Sequence, residues 1–222
     1  MSNSPEIHGA NIVLRGSFTP AIFQPSWLAS QKLIGNKEAE AAKIEIIHPQ
    51  ATIFSAEWLQ LRVLEDRFQA STYQEAFFEP LRDLVSGVFD ILSHTPIKAL
   101  GLNQDFHFRL SSESKWHSVG DRLAPKEDWK EILDKPGMRA LVMHSLRPDS
   151  YKGSILVQVE PSLQITPYGL FVNINDHYLL GETEESEELP KASKIPLTLS
   201  KAWSSSILRG ETIAKKIASI GE

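Results

Sequence analysis

Short runs in which hydrophobic and polar residues alternate recur along the chain, and this period of two predicts β-strands. In the first run, Ile12 and Leu14 alternate with Val13 and Arg15. Between residues 43 and 71 the connections are too short for crossovers, so the strands there are expected to pair antiparallel. The predicted strands cover residues 10–18, 43–48, 51–56, 58–71, 96–110, 138–146, 153–161 and 168–180.

Two longer segments have the periodicity of amphipathic helices instead. Thr72 and Glu75 form a predicted capping box at the start of a helix over residues 72–94. The apolar stripe of that helix consists of Phe77, Leu81, Leu84, Val85, Val88, Phe89 and Leu92, and a second helix over 198–221 has Leu199, Trp203, Ile207, Gly210, Ala214, Ile217 and Ile220 on its buried face. The remaining predicted segments are short helices at 23–35 and 125–133 and a polar loop at 111–125.

This order of elements predicts an α+β fold made of two antiparallel β-meander-plus-helix halves, with the helices packed on one face of the sheet or sheets. The first half spans residues 1–111 and the second 112–222, with one continuous domain as the alternative. Residues 181–196 carry five glutamates and two prolines, so we interpret them as a solvated acidic linker in the second half.

The two halves also suggest an internal duplication. At an offset of 110 residues, Asp66 matches Asp176 and Phe68 matches Tyr178. The alternative is that any two meanders followed by a helix share such alternation. If the duplication is real, a recurring Asp at a strand end is better explained by turn chemistry than by catalysis, because its carboxylate bonds nearby backbone N–H groups.

Composition and charge exclude several classes of function. The chain has 23 basic and 28 acidic residues and a net charge of −5, and neither half is basic, so nucleic acid is disfavoured as the main partner. It has no cysteine, which excludes disulfides and thiolate chemistry. The polar start, MSNSPEIHGA, is unlike a signal peptide, and no apolar run approaches the ~20 residues that span a bilayer. We therefore expect a cytoplasmic protein without a membrane partner.

Polar side chains inside two predicted strands are the first binding candidates. Asp105 and His107 lie two residues apart, and Asn173, Asn175 and His177 alternate along another strand, so each set shares one face. Such residues can line a groove or ligate Zn, Mn or Fe. A solvated strand face explains them equally well, and we expect no metal and no cofactor.

A second pair of candidates is Trp116 with His117, in the predicted loop. An exposed tryptophan there suits a contact surface, because tryptophan is enriched where partners bind. The alternative is that Trp116 covers the sheet. No phosphate-binding loop, dinucleotide-binding turn or nucleophile elbow occurs in the sequence.

The stretch LQLRVLEDRFQASTYQEAFFEPLRDL, followed by PIKALGLNQDFHF, resembles a sporadically distributed family of uncharacterised bacterial proteins. In that family a strand leads through a polar turn into an amphipathic helix, and a Gly-Leu strand with an Asn follows. The resemblance implies no reaction, because the family has none assigned. The residues that carry it are Asp66, Phe68, Tyr73, Leu81, Gly101, Leu102 and Asn103.

Three functions compete at this point. The first is a non-catalytic interaction or structural protein of a bacterial multi-gene system, with phage defence as one context, that binds a protein partner or itself. The second is a hydrolase with a groove between the halves, lined by the His, Asp and Asn candidates. The third, disfavoured by the overall acidity, is nucleic-acid binding through a local patch of Arg139, Arg147 and Lys152.

Overall fold

A computed structural model of the chain describes residues 4–181 and 190–221. In this part of the chain the predicted strands form, together with one that was not predicted. The strands are β1 (Ile7–Gly16), β2 (Lys43–His48), β3 (Ala51–Ser55), β4 (Gln60–Leu64), β5 (Arg67–Thr72), β6 (Ile97–Arg109), β7 (Leu141–Leu146), β8 (Gly153–Pro161) and β9 (Gly169–Leu179).

Six α-helices accompany the strands, and two of them are much longer than the rest. The helices are α1 (Pro25–Ser30), α2 (Asn36–Glu40), α3 (Phe78–Ile91), α4 (Glu113–Leu123), α5 (Glu127–Lys130) and α6 (Ile195–Ala218). Within the described ranges, no helix is both long enough and apolar enough to cross a bilayer.

All nine strands belong to one antiparallel sheet in the order β2-β3-β4-β5-β1-β6-β9-β8-β7. The fold is therefore α+β, as predicted. Strands β2 and β7 form the two edges. The central strands are the longest, and β6 pairs with β1 on one side and β9 on the other. The sheet is thus continuous across residue 111, where the sequence suggests a boundary between halves, and the division into two domains stays a prediction.

Alternation along the central strands gives the sheet two different faces. We call inner face the positions typified by Ile12, Leu102 and Val172, whose side chains are fully buried in the hydrophobic core. We call outer face the intervening positions, typified by Asn11 and Asn103. The inner face is apolar and the outer face polar, which is the pattern expected when only one face meets a core.

The two long helices join this core from both ends of the chain. Helix α3 contacts β5 and β1, helix α6 contacts β6 and β9, and the two helices also contact each other. The stripe predicted for the first helix is largely correct, with Leu81, Val85 and Phe89 fully buried. The predicted capping box is wrong, because Thr72 ends strand β5 and its hydroxyl accepts from the Gln74 backbone N–H at 3.2 Å.

The long strand predicted at 58–71 is in fact a hairpin of β4 and β5. Asp66 lies in the turn, where its carboxylate is 2.9 Å from the exposed Arg15 guanidinium. Asp176 lies inside β9 and is buried. The two aspartates therefore occupy different environments, and the proposed internal duplication is not confirmed.

One polar segment forms a helix, and the described end of another is bound to the sheet. The predicted loop at 111–125 contains helix α4, whose start is capped by Ser112, and the Ser112 hydroxyl accepts from the Lys115 N–H at 3.2 Å. Much of the predicted acidic linker, residues 182–189, lies outside the described residues. Its last part is anchored, because the Ile97 N–H donates to the Pro190 carbonyl at 2.8 Å.

Candidate functional site

Five of the predicted binding residues lie on the outer face, along the adjacent strands β6 and β9. Asp105 and His107 alternate on β6, and Asn173, Asn175 and His177 alternate on β9. Alternate residues of a strand point to the same side, so one face carries all five. Their role in binding stays a prediction.

Asp105 and Asn173 make the closest contact within this set. They lie directly opposite each other, and Asn173 Nδ2 donates to Asp105 Oδ1 at 2.7 Å. Burial raises the pKa of Asp105, although the Asn173 hydrogen bond and the nearby histidines oppose the rise. On the other side of Asp105 lies Gly9 of β1, and the Tyr73 ring covers that glycine. A Cβ on Gly9 would come within 2.6 Å of the ring. Burial, followed by the Asp105 charge, raises the pKa of Tyr73.

His107 is held by packing and by a serine. Its ring is buried, stacks on Phe171 with centroids 4.6 Å apart, and its Nδ1 lies 2.8 Å from Ser162 Oγ. That oxygen also accepts from the backbone N–H groups of Gln164 and Ile165 at 3.1 and 3.0 Å. Since both lone pairs of Oγ are used, the hydroxyl donates to Nδ1. Burial lowers the pKa of His107. Ser162 is therefore a capping residue of a turn.

The two histidines of the set are far apart. His107 is opposite Phe171 and His177 is opposite Gly101, six residues away along β6. At about 3.3 Å per residue this is about 20 Å, whereas a shared ion needs both nitrogens within about 2 Å of it. Among residues 4–181 and 190–221, no three histidine or carboxylate side chains are grouped as metal ligands.

A row of carboxamides crosses the middle of the outer face. Asn11, Asn103 and Asn175 lie side by side on β1, β6 and β9, and Asn103 Nδ2 donates to Asn11 Oδ1 at 2.9 Å. The Oδ1 atoms of Asn103 and Asn175 are buried and have no hydrogen-bond partner in the described structure. The face is thus polar but carries little charge near its centre.

Trp116 and His117 do not join this set. Both lie on α4. Val119 of that helix packs into the same hydrophobic core as the inner-face residue Val172. Trp116 is half-buried, and its indole N–H donates to the Gly169 carbonyl at 2.9 Å. His117 is exposed, beside Glu113 at 3.8 Å. Both residues line a small cleft of about 190 Å³. Trp116 therefore covers the end of β9, which was the alternative reading.

A buried ion cluster, which we call the Asp176 cluster, was missed by sequence reasoning. Asp176 points into the inner face and receives hydrogen bonds from the Arg147 guanidinium, from Arg209 Nη1 at 2.6 Å and from Ser206 Oγ at 2.7 Å. Arg147 and Arg209 also donate to Asp149, at 2.7 and 3.1 Å. The interpretation of Asp176 as a turn residue is therefore wrong, because it ties β9 to α6 and to the β7–β8 turn.

The Asp176 cluster also removes Arg147 from any basic surface patch. Its side chain is 1% exposed, and its guanidinium lies over the Tyr178 ring, 3.6 Å from the centroid. Burial lowers the pKa of Arg147, but the Asp149 hydrogen bonds and the Asp176 charge outweigh burial and raise it. The predicted nucleic-acid patch with Arg139 and Lys152 thus loses one of its three cations.

The edge position of β7 is the second feature that sequence reasoning missed. Five of its six residues are exposed, and Val142, Met143 and Leu146 are 54%, 58% and 78% exposed. Its pairing with β8 is regular from Leu141 to Leu146, without a bulge. The strand contains no charged residue and no proline. We call this strand and its free side the β7 edge.

Edge strand β2 is equally exposed but differs in detail. Its isoleucines Ile44, Ile46 and Ile47 are between 38% and 54% exposed. Its register with β3 shifts between Ile44 and Ile46, which marks a bulge, and Lys43 and Glu45 add charge. A 3-10 turn at Pro20–Ile22 also contacts it. Bulges and charges are the devices by which natural sheets block edge-to-edge pairing.

Apolar side chains next to the start of β7 enlarge its exposed surface. Trp129, Ile132 and Leu133, in and after α5, are 51%, 71% and 52% exposed. Trp129 and Leu133 line a cleft that runs to residues 138–140, immediately before β7. The exposed tryptophan of this chain is therefore Trp129, whereas the sequence pointed to Trp116.

A comparison of the chain with protein-family models and with curated proteins yields no match.

Proposed function

We propose that this chain is a non-catalytic interaction protein that binds a protein partner, or a second copy of itself, along the β7 edge. The observation that carries the proposal is an exposed, regular and uncharged edge strand with three exposed apolar side chains. We infer that the helices cover the inner face only. By packing there they hold the sheet, and with it the β7 edge, in a fixed position.

The physical basis is the unpaired backbone at a sheet edge. Every second residue of β7 turns its N–H and C=O away from β8, and no other described backbone group bonds them. An extended segment of a partner can add as a further strand and satisfy these groups, while its side chains cover the exposed apolar ones. Unprotected edges of this kind are otherwise prone to aggregation, so a partner benefits the chain itself.

A hydrolase with a groove lined by His, Asp and Asn is the second candidate. One observation favours it, namely the raised pKa of Asp105 beside His107 and Asn173. Weighing against it, the Ser162 hydroxyl next to His107 already accepts two backbone hydrogen bonds, so it is poorly placed to act as a nucleophile. The candidate residues also lie along one continuous sheet, which gives no groove between two halves.

The biological setting rests on the resemblance alone. A bacterial multi-gene system, with phage defence as one context, is a setting in which a chain without catalytic machinery would contribute contacts between proteins. We propose this setting as an extension, and the interaction at the β7 edge does not depend on it.

Copurification from cells with two matched variants tests the interaction. The β7 variant carries Val142→Lys and Leu146→Lys, and the β2 variant carries Ile44→Lys and Ile47→Lys. Each pair places two lysines at exposed positions of an edge strand. Cells express each tagged chain together with an untagged copy, and bound chains are identified by mass spectrometry.

We expect the wild-type chain and the β2 variant to retain the same partner or second copy, and the β7 variant to lose it. Lysine on an edge strand opposes strand addition, because its charge would have to be desolvated. Equal recovery with all three chains, or no stable companion with any of them, would overturn the proposal.

A further inference from the structure

We propose that the occupant of the β7 edge is a second copy of this chain, paired antiparallel through a two-fold axis at His144. This inference rests on the proposed function and specifies its partner. The two nine-stranded sheets would then form one continuous sheet, with β7 and its copy at the centre. Two-fold pairing is self-complementary, so the same strand supplies both sides of the interface.

The first argument is the neutrality of the strand. Residues Leu141–Leu146 include no Lys, Arg, Asp or Glu. A strand that faces its own copy brings identical sequences together, and like charges placed directly opposite each other destabilise a sheet. The β7 edge avoids that repulsion completely, whereas Lys43 and Glu45 would bring charge into any pairing of β2.

The second argument is the match of side chains in this register. With His144 opposite its copy, Val142 lies opposite Leu146 of the second chain, and Leu146 opposite Val142. These positions belong to the same face of the strand and are 54% and 78% exposed in the single chain. Apolar cross-strand pairs on one face are a main source of sheet stability.

Charges at the two ends of β7 are the third argument. The same register brings Arg139, just before β7, towards Asp149 in the β7–β8 turn of the second copy. Arg139 is exposed, and Asp149 keeps 28% of its side chain exposed. Asp149 already accepts hydrogen bonds from Arg147 and Arg209 of its own chain, so Arg139 would add only a weak, exposed contact, which the two-fold axis repeats at both ends of the strand.

The exposed apolar area beside β7 approaches that of a standard dimer interface. Val142, Met143, Leu146, Trp129, Ile132 and Leu133 are each more than half exposed. At about 100 Å² of exposed surface each, they offer roughly 600 Å², to which the backbone of β7 adds, against the ~800 Å² per partner of a standard interface.

Cysteine crosslinking tests the register directly, because the chain has no native cysteine. Directly opposite residues in an antiparallel pair have Cα atoms about 4.5–5.5 Å apart, which is within the range of a disulfide. We expect His144→Cys to form a disulfide-linked dimer under mild oxidation. The matched controls are Ser145→Cys, one residue away on the other face, and His48→Cys on the β2 edge. Each should form at most traces of disulfide-linked dimer.

A charge exchange at the same position removes any dependence on disulfide geometry. His144→Lys and His144→Glu each place like charges opposite each other in a homodimer, and we expect each to associate at least about tenfold more weakly than the wild type. Mixing the two variants should restore a heterodimer, measured by light scattering. Circular dichroism of each variant checks that the fold is intact.

The outcomes separate this inference from the proposed function. Efficient crosslinking at residue 144 with rescue by the mixed charges supports the two-fold dimer. A wild-type chain that stays monomeric at all accessible concentrations overturns the second copy as occupant. If copurification still depends on the β7 edge in that case, the proposed interaction survives with a different protein as partner. Crosslinking that is equal at residues 144, 145 and 48 also overturns the inference.

Discussion

The two edges of the sheet have similar exposure and different protection. Strand β2 carries a bulge, two charges and a neighbouring 3-10 turn. Strand β7 has a regular register and no charge. Because the same chain protects one edge and leaves the other open, exposure alone does not explain β7. This difference supports our proposal that β7 pairs with a further strand, whereas β2 is protected from such pairing.

The support behind each edge differs as well. Behind β7, the buried Asp176 cluster joins the β7–β8 turn to β9 and to α6. Behind β2, the buried Thr52 hydroxyl of β3 donates to the Pro20 carbonyl at 2.8 Å, a single neutral hydrogen bond. A charged cluster with several hydrogen bonds fixes geometry more strictly than one neutral bond, which suits an edge that must present a defined register.

The largest expected effect comes from breaking the Asp176 cluster. Asp176→Ala removes the fully buried one of the two carboxylates that Arg147 contacts, and it also takes away the acceptor of the Arg209 and Ser206 hydrogen bonds. We expect the free energy of unfolding to fall by about 3–5 kcal/mol, as for other buried pairs that lose one partner. Urea unfolding followed by circular dichroism measures the change.

The matched control is Asp66→Ala, which removes the aspartate that the duplication would equate with Asp176. Its pair with Arg15 is more than half exposed on both sides. The expected loss is about 0–1 kcal/mol, because exposed ion pairs contribute little. Equal losses for the two variants would contradict the different roles assigned to the two aspartates.

A smaller effect is expected from the apolar surface beside β7. Trp129→Ser should weaken self-association about tenfold or more and leave thermal stability nearly unchanged, because a tryptophan that becomes buried in an interface often contributes strongly to binding. Sedimentation equilibrium gives the dissociation constant. Leu208→Ser changes a similarly exposed side chain on α6 and should leave that constant as it is. If both variants weaken association equally, the contact surface lies elsewhere.

Acid should loosen the β7 side of the sheet before the β2 side. The hydrogen bonds from Arg147 hold the pKa of Asp149 below its usual range, with burial opposing. A carboxylate with a lowered pKa in the folded state stabilises the fold above its unfolded pKa of about 3.9, and this stability is lost as the pH falls through the folded value. Protection factors from hydrogen exchange, which correct for the slow intrinsic exchange near pH 3, should therefore fall more in residues 147–153 than in residues 43–51. An equal fall in both segments would count against the prediction.

The smallest change in the free energy of unfolding is expected from substituting Asp105, which lies in the centre of the sheet and away from both edges. Burial raises its pKa, so the folded state is destabilised above that pKa, where the carboxylate is charged. Asp105→Asn should raise the free energy of unfolding at pH 7 by less than about 1 kcal/mol, and this gain should vanish below the unfolded pKa. Association should not change. A large loss of stability would mean that the charge is needed on the outer face.

Local sequence patterns predicted most of the helices and strands, but not which of them pack or pair with each other. The stripe of α3 and the alternation of β6 and β9 are properties of short segments, so the fold class and the shared face of Asn173 and Asn175 were predictable. The β4–β5 turn at Glu65 and Asp66 lacks the Gly, Pro or Asn that usually marks a hairpin, so the sequence predicts one long strand where the structure has two.

The features that matter for the proposed function depend on the order of strands. Strand β7 was predicted, but its position at an edge follows from the pairing β9-β8-β7, which no local pattern encodes. The local sequence favours a turn role for Asp176, because its partners Arg147 and Arg209 lie 29 and 33 residues away. Contacts at that separation become visible only when the strands and helix α6 are assembled.

The most direct test of the open β7 edge is hydrogen exchange of the wild-type chain at low and high protein concentration. We predict that amides in residues 141–146 become more protected as protein concentration rises, because pairing with a second copy occupies their outward N–H groups, while residues 43–48 stay unchanged. Exchange in 141–146 that is independent of concentration, or protection that grows at 43–48 instead, would contradict it.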